Sequence, residues 1–328
     1  MLTKLVLSVA VLGALAAAPA AAGDGPLFVS QGGSGVVQGS TRFIPVSDNT
    51  GGTTQLEAIS TKDGTLLNQL GIVGSWGLPS TPSGADGISE DGTRLVLADT
   101  SAGQTSPSLF YVVNTKTMRI VEPITLKGWF SFDAMSPDAS KLYFIEYTQG
   151  ASSGDLSHYI VRAYDLRTHR LLHGRIADRT QKSWVMQGSP VTRTKSADGR
   201  WVYTLYMNPG GYPFIHALDT VRGVAHCVGL PLQNQSGIGN LVMGLHGRTL
   251  SVHWRSGRPF VNVDTATWLV TPAHRGGFDW WWTTLAALPL AAAGVALAGR
   301  RRRRGTLDAE FADLLREPAG RLEAAGRT

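Results

Sequence analysis

Apolar and polar residues alternate along most of residues 23–277 in short runs separated by polar turns. Leu109–Val113, Tyr159–Tyr164, Phe214–Leu218 and Phe260–Val263 are such runs. They are followed by turns that begin at Asn114, Asp165, Asp219 and Asp264, spaced 51, 54 and 45 residues apart. Second runs follow: Met118–Val121, His169–His173, Gly223–Val228 and Trp268–Val270. An earlier copy is Gln55–Ile59, Ser60–Gly64 and Thr65–Leu70. A period of two with β-branched and aromatic residues is the pattern of a half-buried strand. Asn and Asp accept tight-turn backbone angles and cap them with their own side chains. The pattern therefore predicts hairpins.

A second unit precedes each hairpin. It reads Ser89-Glu90-Asp91-Gly92-Thr93-Arg94-Leu95-Val96-Leu97, then Ser136-Pro137-Asp138-Ala139-Ser140-Lys141-Leu142-Tyr143-Phe144, then Ser196-Ala197-Asp198-Gly199-Arg200-Trp201-Val202-Tyr203. A weaker copy spans 246–252. Taken alone, Asp91, Asp138 and Asp198 resemble catalytic carboxylates; their shared repeat phase makes them turn formers. Four short strands per repeat of about 50 residues is one blade of a β-propeller. A single blade cannot bury both faces, so blades must stack. The expected fold is all-β: a propeller of about five four-stranded blades, with six as the alternative and a β-sandwich as the competing architecture. Residues 27–46 would supply the first half of blade one or close the ring against the last blade.

Both ends of the chain break the alternation. Lys4, the apolar run Leu5–Ala18 and Ala20-Ala21-Ala22 predict a secretory signal peptide over 1–22, with an uncleaved N-terminal anchor as the alternative. Residues 278–299 contain an uncharged run, Trp280–Gly299, long enough as a helix to span the hydrocarbon core. Trp280, Trp281 and Trp282 flank it on one side; Arg300, Arg301, Arg302, Arg303 and Arg304 follow on the other. Aromatic belts favour the headgroup zone and arginines stay in the cytoplasm. The expected topology is an extracytoplasmic domain over 23–277, one transmembrane helix and a cytoplasmic tail over 300–328, in the cell membrane.

Composition refines this picture. The net charge of the 328-residue chain is +6. Residues 23–277 hold 21 Lys and Arg against 18 Asp and Glu, so the main body is near neutral and has no basic run. No nucleic-acid partner is expected. The single cysteine, Cys227, excludes an intrachain disulfide framework and cysteine-based clusters. It lies in an alternating strand, so it is expected in the core rather than as a nucleophile.

The Ser-Pro-Asp-x-x-Lys-Leu-Tyr-Phe string at 136–144 and its looser copies resemble the repeat of bacterial YVTN and TolB-like (WD40-like) β-propellers, over residues 85–270. The chain lacks a Tyr-Val-Thr-Asn string, and its blade lengths are irregular. The resemblance implies a propeller. Some such propellers are lactonase-like enzymes, but the matching positions are turn residues and carry no catalytic role across.

Trp76, Trp129 and Trp184, 53 and 55 residues apart, share one repeat phase. They either ring one face as a binding surface or plug the gaps between blades. The long loops Asp99–Ser108, Tyr147–His158 and Asn208–Pro213 belong to the same face and place Asp99, Glu146, Tyr147, His158, Asn208 and Tyr212 there. No zinc signature and no Gly-x-Ser-x-Gly elbow occurs, so no catalytic residue, metal or cofactor is assigned. Two functions remain open. The first is a membrane-anchored binding or scaffold module for a protein or an envelope glycan. The second is a lactonase-like hydrolase with a loop-built site.

Overall fold

Two local hydrogen-bond patterns build the sheets. The hydroxyls of Ser89, Ser136 and Ser196 donate to Oδ1 of Asp91, Asp138 and Asp198 at 2.6, 2.7 and 2.6 Å. Each serine oxygen then accepts the N–H of the residue five positions on, Arg94, Lys141 or Trp201, at 2.9, 2.9 and 2.8 Å. The Ser136 and Ser196 hydroxyls hold the Asp138 and Asp198 carboxyls below the usual carboxylate range. These acids are turn formers. In the second pattern, Oδ1 of Asn114, Asp165, Asp219 and Asp264 each accepts two backbone N–H groups at 2.8–3.0 Å.

The second turn closes on a left-handed residue: Met118, His169, Gly223 or Trp268, with φ of 48, 55, 66 and 61°. The expected strands therefore start late, at Arg119, Arg170, Val224 and Val270. His169 and His173 are not in a strand; only Arg170–Leu171 between them is.

The computed structural model describes residues 28–273 except 33, 48–51, 82, 103, 149–157, 181–185 and 209–210. The expected signal peptide (1–22), membrane helix (278–299) and tail (300–328), with Trp280–Trp282 and Arg300–Arg304, lie outside these, as does Trp184. No helix among the described residues is long and apolar enough to cross a membrane.

The described chain is almost wholly antiparallel β. Sheet I holds β2 (Val36–Gln38), β3 (Thr41–Ser47), β4 (Thr53–Ser60) and β5 (Leu66–Val73). Sheet II holds β6 (Trp76–Thr81), β8 (Arg94–Asp99), β9 (Ser108–Asn114) and β10 (Arg119–Leu126), with β7 (Gly84–Ala85) beside β6. Sheet III holds β11 (Phe130–Met135), β12 (Lys141–Tyr147), β13 (His158–Asp165), β14 (Arg170–Leu171) and β15 (Met186–Gln187). Sheet IV holds β16 (Ser189–Lys195), β17 (Trp201–Met207), β18 (Phe214–Asp219) and β19 (Val224–Gly229). Sheet V holds β20 (Leu241–His246), β21 (Thr249–Trp254), β22 (Pro259–Asp264) and β23 (Val270–Pro272). The first strand, β1 (Phe28–Ser30), neither starts sheet I nor reaches sheet V. It pairs with β6 of sheet II, Val29 opposite Pro79.

Five successive antiparallel sheets make a propeller-like fold, and four apolar seams join them in chain order. Leu56, Ala58 and Phe43 of sheet I meet Leu95, Leu97 and Trp76 of sheet II. Val96, Phe110 and Val112 of sheet II meet Leu142, Phe144 and Phe132 of sheet III. Tyr143, Ile145 and Tyr147 of sheet III meet Val202, Tyr206 and Leu218 of sheet IV. Tyr203, Leu205 and Ile215 of sheet IV meet Leu250, Val252 and Val263 of sheet V. A strand such as Leu142–Ile145 is apolar throughout because its two sides serve two seams; sheets buried on both faces lose the alternation.

The first strands of sheets III and IV and the segment after β7 are tied by one buried cation. Arg193 on β16 donates to the Asp133 carbonyl and carboxylate on β11 and to Thr204 Oγ1 at 3.0 Å, and lies 3.5 Å from Asp86. Its side chain is 6% exposed and that of Asp133 is 3%. Burial of this charge is tolerated because the pair is hydrogen-bonded on both sides.

Candidate functional site

The fourth position of sheet III is filled piecewise. Leu171 pairs with Tyr164, Ile176 bridges to Val161, and Met186 pairs with Tyr159. Between these contacts the chain leaves the sheet and crosses to sheet IV. There Asp178 Oδ2 accepts the N–H of Cys227 on the outermost strand at 2.8 Å and lies 3.2 Å from His226 Nδ1. Asp178 Oδ1 takes the Thr180 N–H and hydroxyl at 2.9 and 2.6 Å.

This crossing walls a cleft of about 420 Å³ between sheets III and IV. His158, Met186, Gln187, Ala177 and Asp178 line one side; Asn208, Tyr212, Phe214, Cys227 and Gly229 line the other. Tyr212 is 54% exposed and Phe214 half-buried. Gln187 Nε2 donates to Asn208 Oδ1 across the mouth at 3.0 Å. Gln235, on the crossing to sheet V, fixes the same loop by three bonds of 2.8–2.9 Å, to Asn208 N, Asn208 O and Gly211 O.

The lining carries one carboxylate, and the thiol and imidazole beside it stay uncharged. Burial works against an ionised Asp178, but the Cys227 and Thr180 N–H groups, the Thr180 hydroxyl and His226 outweigh it and keep the carboxyl below its usual range. Burial, reinforced by Asp178, pushes the Cys227 thiol up to about 12. Behind it, His216 Nδ1 lies 3.7 Å from Cys227 Sγ, and burial pushes this imidazole down to about 4. At neutral pH the pair is thus a thiol and a neutral imidazole, the reverse of the thiolate that a cysteine nucleophile needs. Among the described residues no group of three or more His, Cys, Asp or Glu is placed to hold a metal ion.

Of the residues expected on this face, the fold brings His158, Asn208 and Tyr212 together in the cleft. The others have separate duties. Glu146 accepts Arg162 at 2.6 Å across neighbouring strands. Asp99 caps the following turn, accepting the Ser101 N–H at 2.8 Å. Tyr147 is 4% exposed and shares a 2.7 Å hydrogen bond with Ser131, so it belongs to the core. Trp76 is also buried; its Nε1 donates to Val73 O at 2.8 Å and its ring stacks on Tyr111 at 4.0 Å. Trp129 packs on the seam between sheets III and IV. Trp76 and Trp129 therefore fill gaps between sheets.

Asp178, Gln187, Phe214 and Gln235 were not singled out by sequence. Asp178 and Gln235 lie on crossings outside the repeat, where no period marks them. The alternating pattern predicts Cys227 in the core; it is half-buried and lines the cleft.

No protein-family model matches the chain, and no curated protein does either. Among solved structures it is similar to BamB from Moraxella catarrhalis (15% identity, TM-score 0.38, covering 74% of this chain and 64% of that one). It is similar to TolB from Acinetobacter baumannii (14%, 0.31, 71% and 64%). It is also similar to Kuenenia stuttgartiensis hydrazine synthase (16%, 0.37, 74% and 77%). Likenesses of this degree carry no argument about function.

Proposed function

We propose that this chain is a binding module, secreted and anchored in the membrane by residues 278–299, whose cleft between sheets III and IV holds a neutral, hydroxyl-rich ligand of the saccharide class. The observation that carries the reading is the character of the lining. Two amides, Gln187 and Asn208, and an imidazole, His158, stand beside the exposed ring of Tyr212 and the half-buried ring of Phe214. Amides offer both donors and acceptors to hydroxyls, and an aromatic face covers the apolar side of a sugar ring. The carboxylate in the lining, Asp178, already has both oxygens engaged. Polar groups fixed by hydrogen bonds beside an aromatic ring give a cleft the means to orient a ligand.

The test is calorimetric titration of the full chain with neutral and charged envelope oligosaccharides. Binding of neutral glycans that falls at least tenfold in Tyr212→Ala and Asn208→Ala supports the reading. Absence of binding, or binding indifferent to both substitutions, overturns it.

A further inference from the structure

Five sheets in a closed ring would share five seams, and the described residues form four. The outward face of sheet I and the outward face of sheet V take part in no apolar cluster. The two faces differ in chemistry. On sheet V, the register places Val242 and His253 opposite each other, and Gly244, Ser251, Asn262 and Thr271 in one row across the strands. Apart from Val242 and Pro259, which is opposite His253, that face is polar or bare. On sheet I, the strands place Val37, Ile44, Val46, Ile59, Leu66 and Val73 on one side, opposite the face that carries Phe43, Leu56 and Ile72. Val37, Val46, Leu66 and Val73 are 48, 41, 49 and 85% exposed. Thr53, Gln55 and Gln69 share that side, so the exposed aliphatic side chains form a patch interleaved with polar neighbours, and a patch of this kind marks an interaction surface. The polar face of sheet V offers it no apolar match.

The same face of sheet I carries Arg42, opposite Ile59, and Glu57, opposite Ile44. Neither forms a salt bridge among the described residues. One cation and one anion, neither in a salt bridge among the described residues, make that face complementary to itself. Across a twofold axis, residue i of one copy meets residue j of the other, and j meets i.

We propose that the outward face of sheet I is the interface of a twofold dimer, in which aliphatic side chains pack together and Arg42 of each copy pairs with Glu57 of the other. This surface is separate from the cleft, and its test is independent of the cleft's ligand.

The experiment is sedimentation equilibrium of the full chain in density-matched detergent. The expected mass is that of a dimer. Glu57→Arg sets two arginines against two and weakens association at least tenfold. The double variant Arg42→Glu with Glu57→Arg restores the opposed charges and the dimer. Thermal midpoints of the variants, measured alongside, separate loss of association from loss of folding. A parent chain that stays monomeric overturns the proposal, as does a dimer indifferent to Glu57→Arg. So does an intrachain disulfide formed efficiently in the variant Glu57→Cys, Ser251→Cys, because sheet V would then cover sheet I within one molecule. Association that appears only on vesicles, with no dimer in detergent, assigns the face to lipid and also overturns it.

Discussion

Gln235 holds Asn208 by both of its main-chain groups, accepting the N–H through Oε1 at 2.9 Å and donating Nε2 to the carbonyl at 2.8 Å. One side chain thus acts as a strand partner for the loop that carries Tyr212. Removing it leaves an amide N–H and two carbonyls to find other partners, at a cost of ~1–2 kcal/mol. Gln235→Ala is expected to lower the unfolding midpoint modestly and to weaken saccharide binding more than any substitution on the outer strands. Equal binding by Gln235→Ala and the parent chain would show that the loop is fixed by other contacts.

Arg193 and Asp133 join sheets III and IV through a buried pair. Truncating one partner strands the other's charge, so Asp133→Ala is expected to cost ~3–5 kcal/mol in urea unfolding. Replacing both with apolar groups, Arg193→Met with Asp133→Leu, should recover much of that loss, since an apolar replacement of a buried pair is often near neutral. A double variant no more stable than Asp133→Ala argues against stranded charge as the cause.

His216 ties stability to pH. Its folded-state value is about 4, against about 6.5 in the unfolded chain. Between these values the unfolded chain takes a proton that the folded chain refuses. The stability contribution is complete above about pH 6.5 and lost as the pH falls toward 4, on the order of 3 kcal/mol across the window. His216→Leu should flatten this limb with little loss at pH 7, because Nε2 has no hydrogen-bond partner among the described residues. Chemical denaturation at a series of pH values between 4 and 7 reads the slope directly.

Cys227 borders the cleft but is expected to react slowly. A rise from 9.0 to about 12 lowers the thiolate fraction about a thousandfold. Alkylation of the native chain by iodoacetamide at pH 8 should lag the urea-unfolded chain by two to three orders of magnitude, roughly that factor. Comparable rates would mean the thiol is ionised in the folded protein.

Ala139 occupies the left-handed position that Gly92 and Gly199 fill in the equivalent turns, with φ of 51°. The Cβ penalty there is ~1 kcal/mol, so Ala139→Gly should raise the unfolding midpoint slightly. The gain is capped by the methyl's contact with the seam between sheets II and III. A lowered midpoint would show that this contact outweighs the backbone strain.

The turns were legible because their chemistry is local. Ser136 and Asp138, or Asp165 and the N–H groups of Arg167 and Thr168, lie within a few residues of each other. The pattern of alternation then predicted the hairpins and about five units, with six as the alternative; five sheets of four to six strands form. Strand starts were misplaced at Met118, His169 and Trp268 because a left-handed backbone angle leaves no signature in side-chain polarity. Half of the cleft was also legible: His158, Asn208 and Tyr212 sit on loops of one repeat phase. The other half was not, since Asp178 and Gln187 come from a crossing whose length and path the repeat does not constrain.

What the sequence determined by itself was the all-β class, the turn formers and the succession of hairpins, because these rest on contacts between near neighbours. Tertiary structure alone decided that β1 joins sheet II, that Trp76 is covered by Tyr111, that Arg193 meets Asp133, and that sheet I keeps an aliphatic face uncovered. Each of these depends on which sheet faces are brought together. A period of two assigns a residue to a face of its strand, but it does not say what that face will meet.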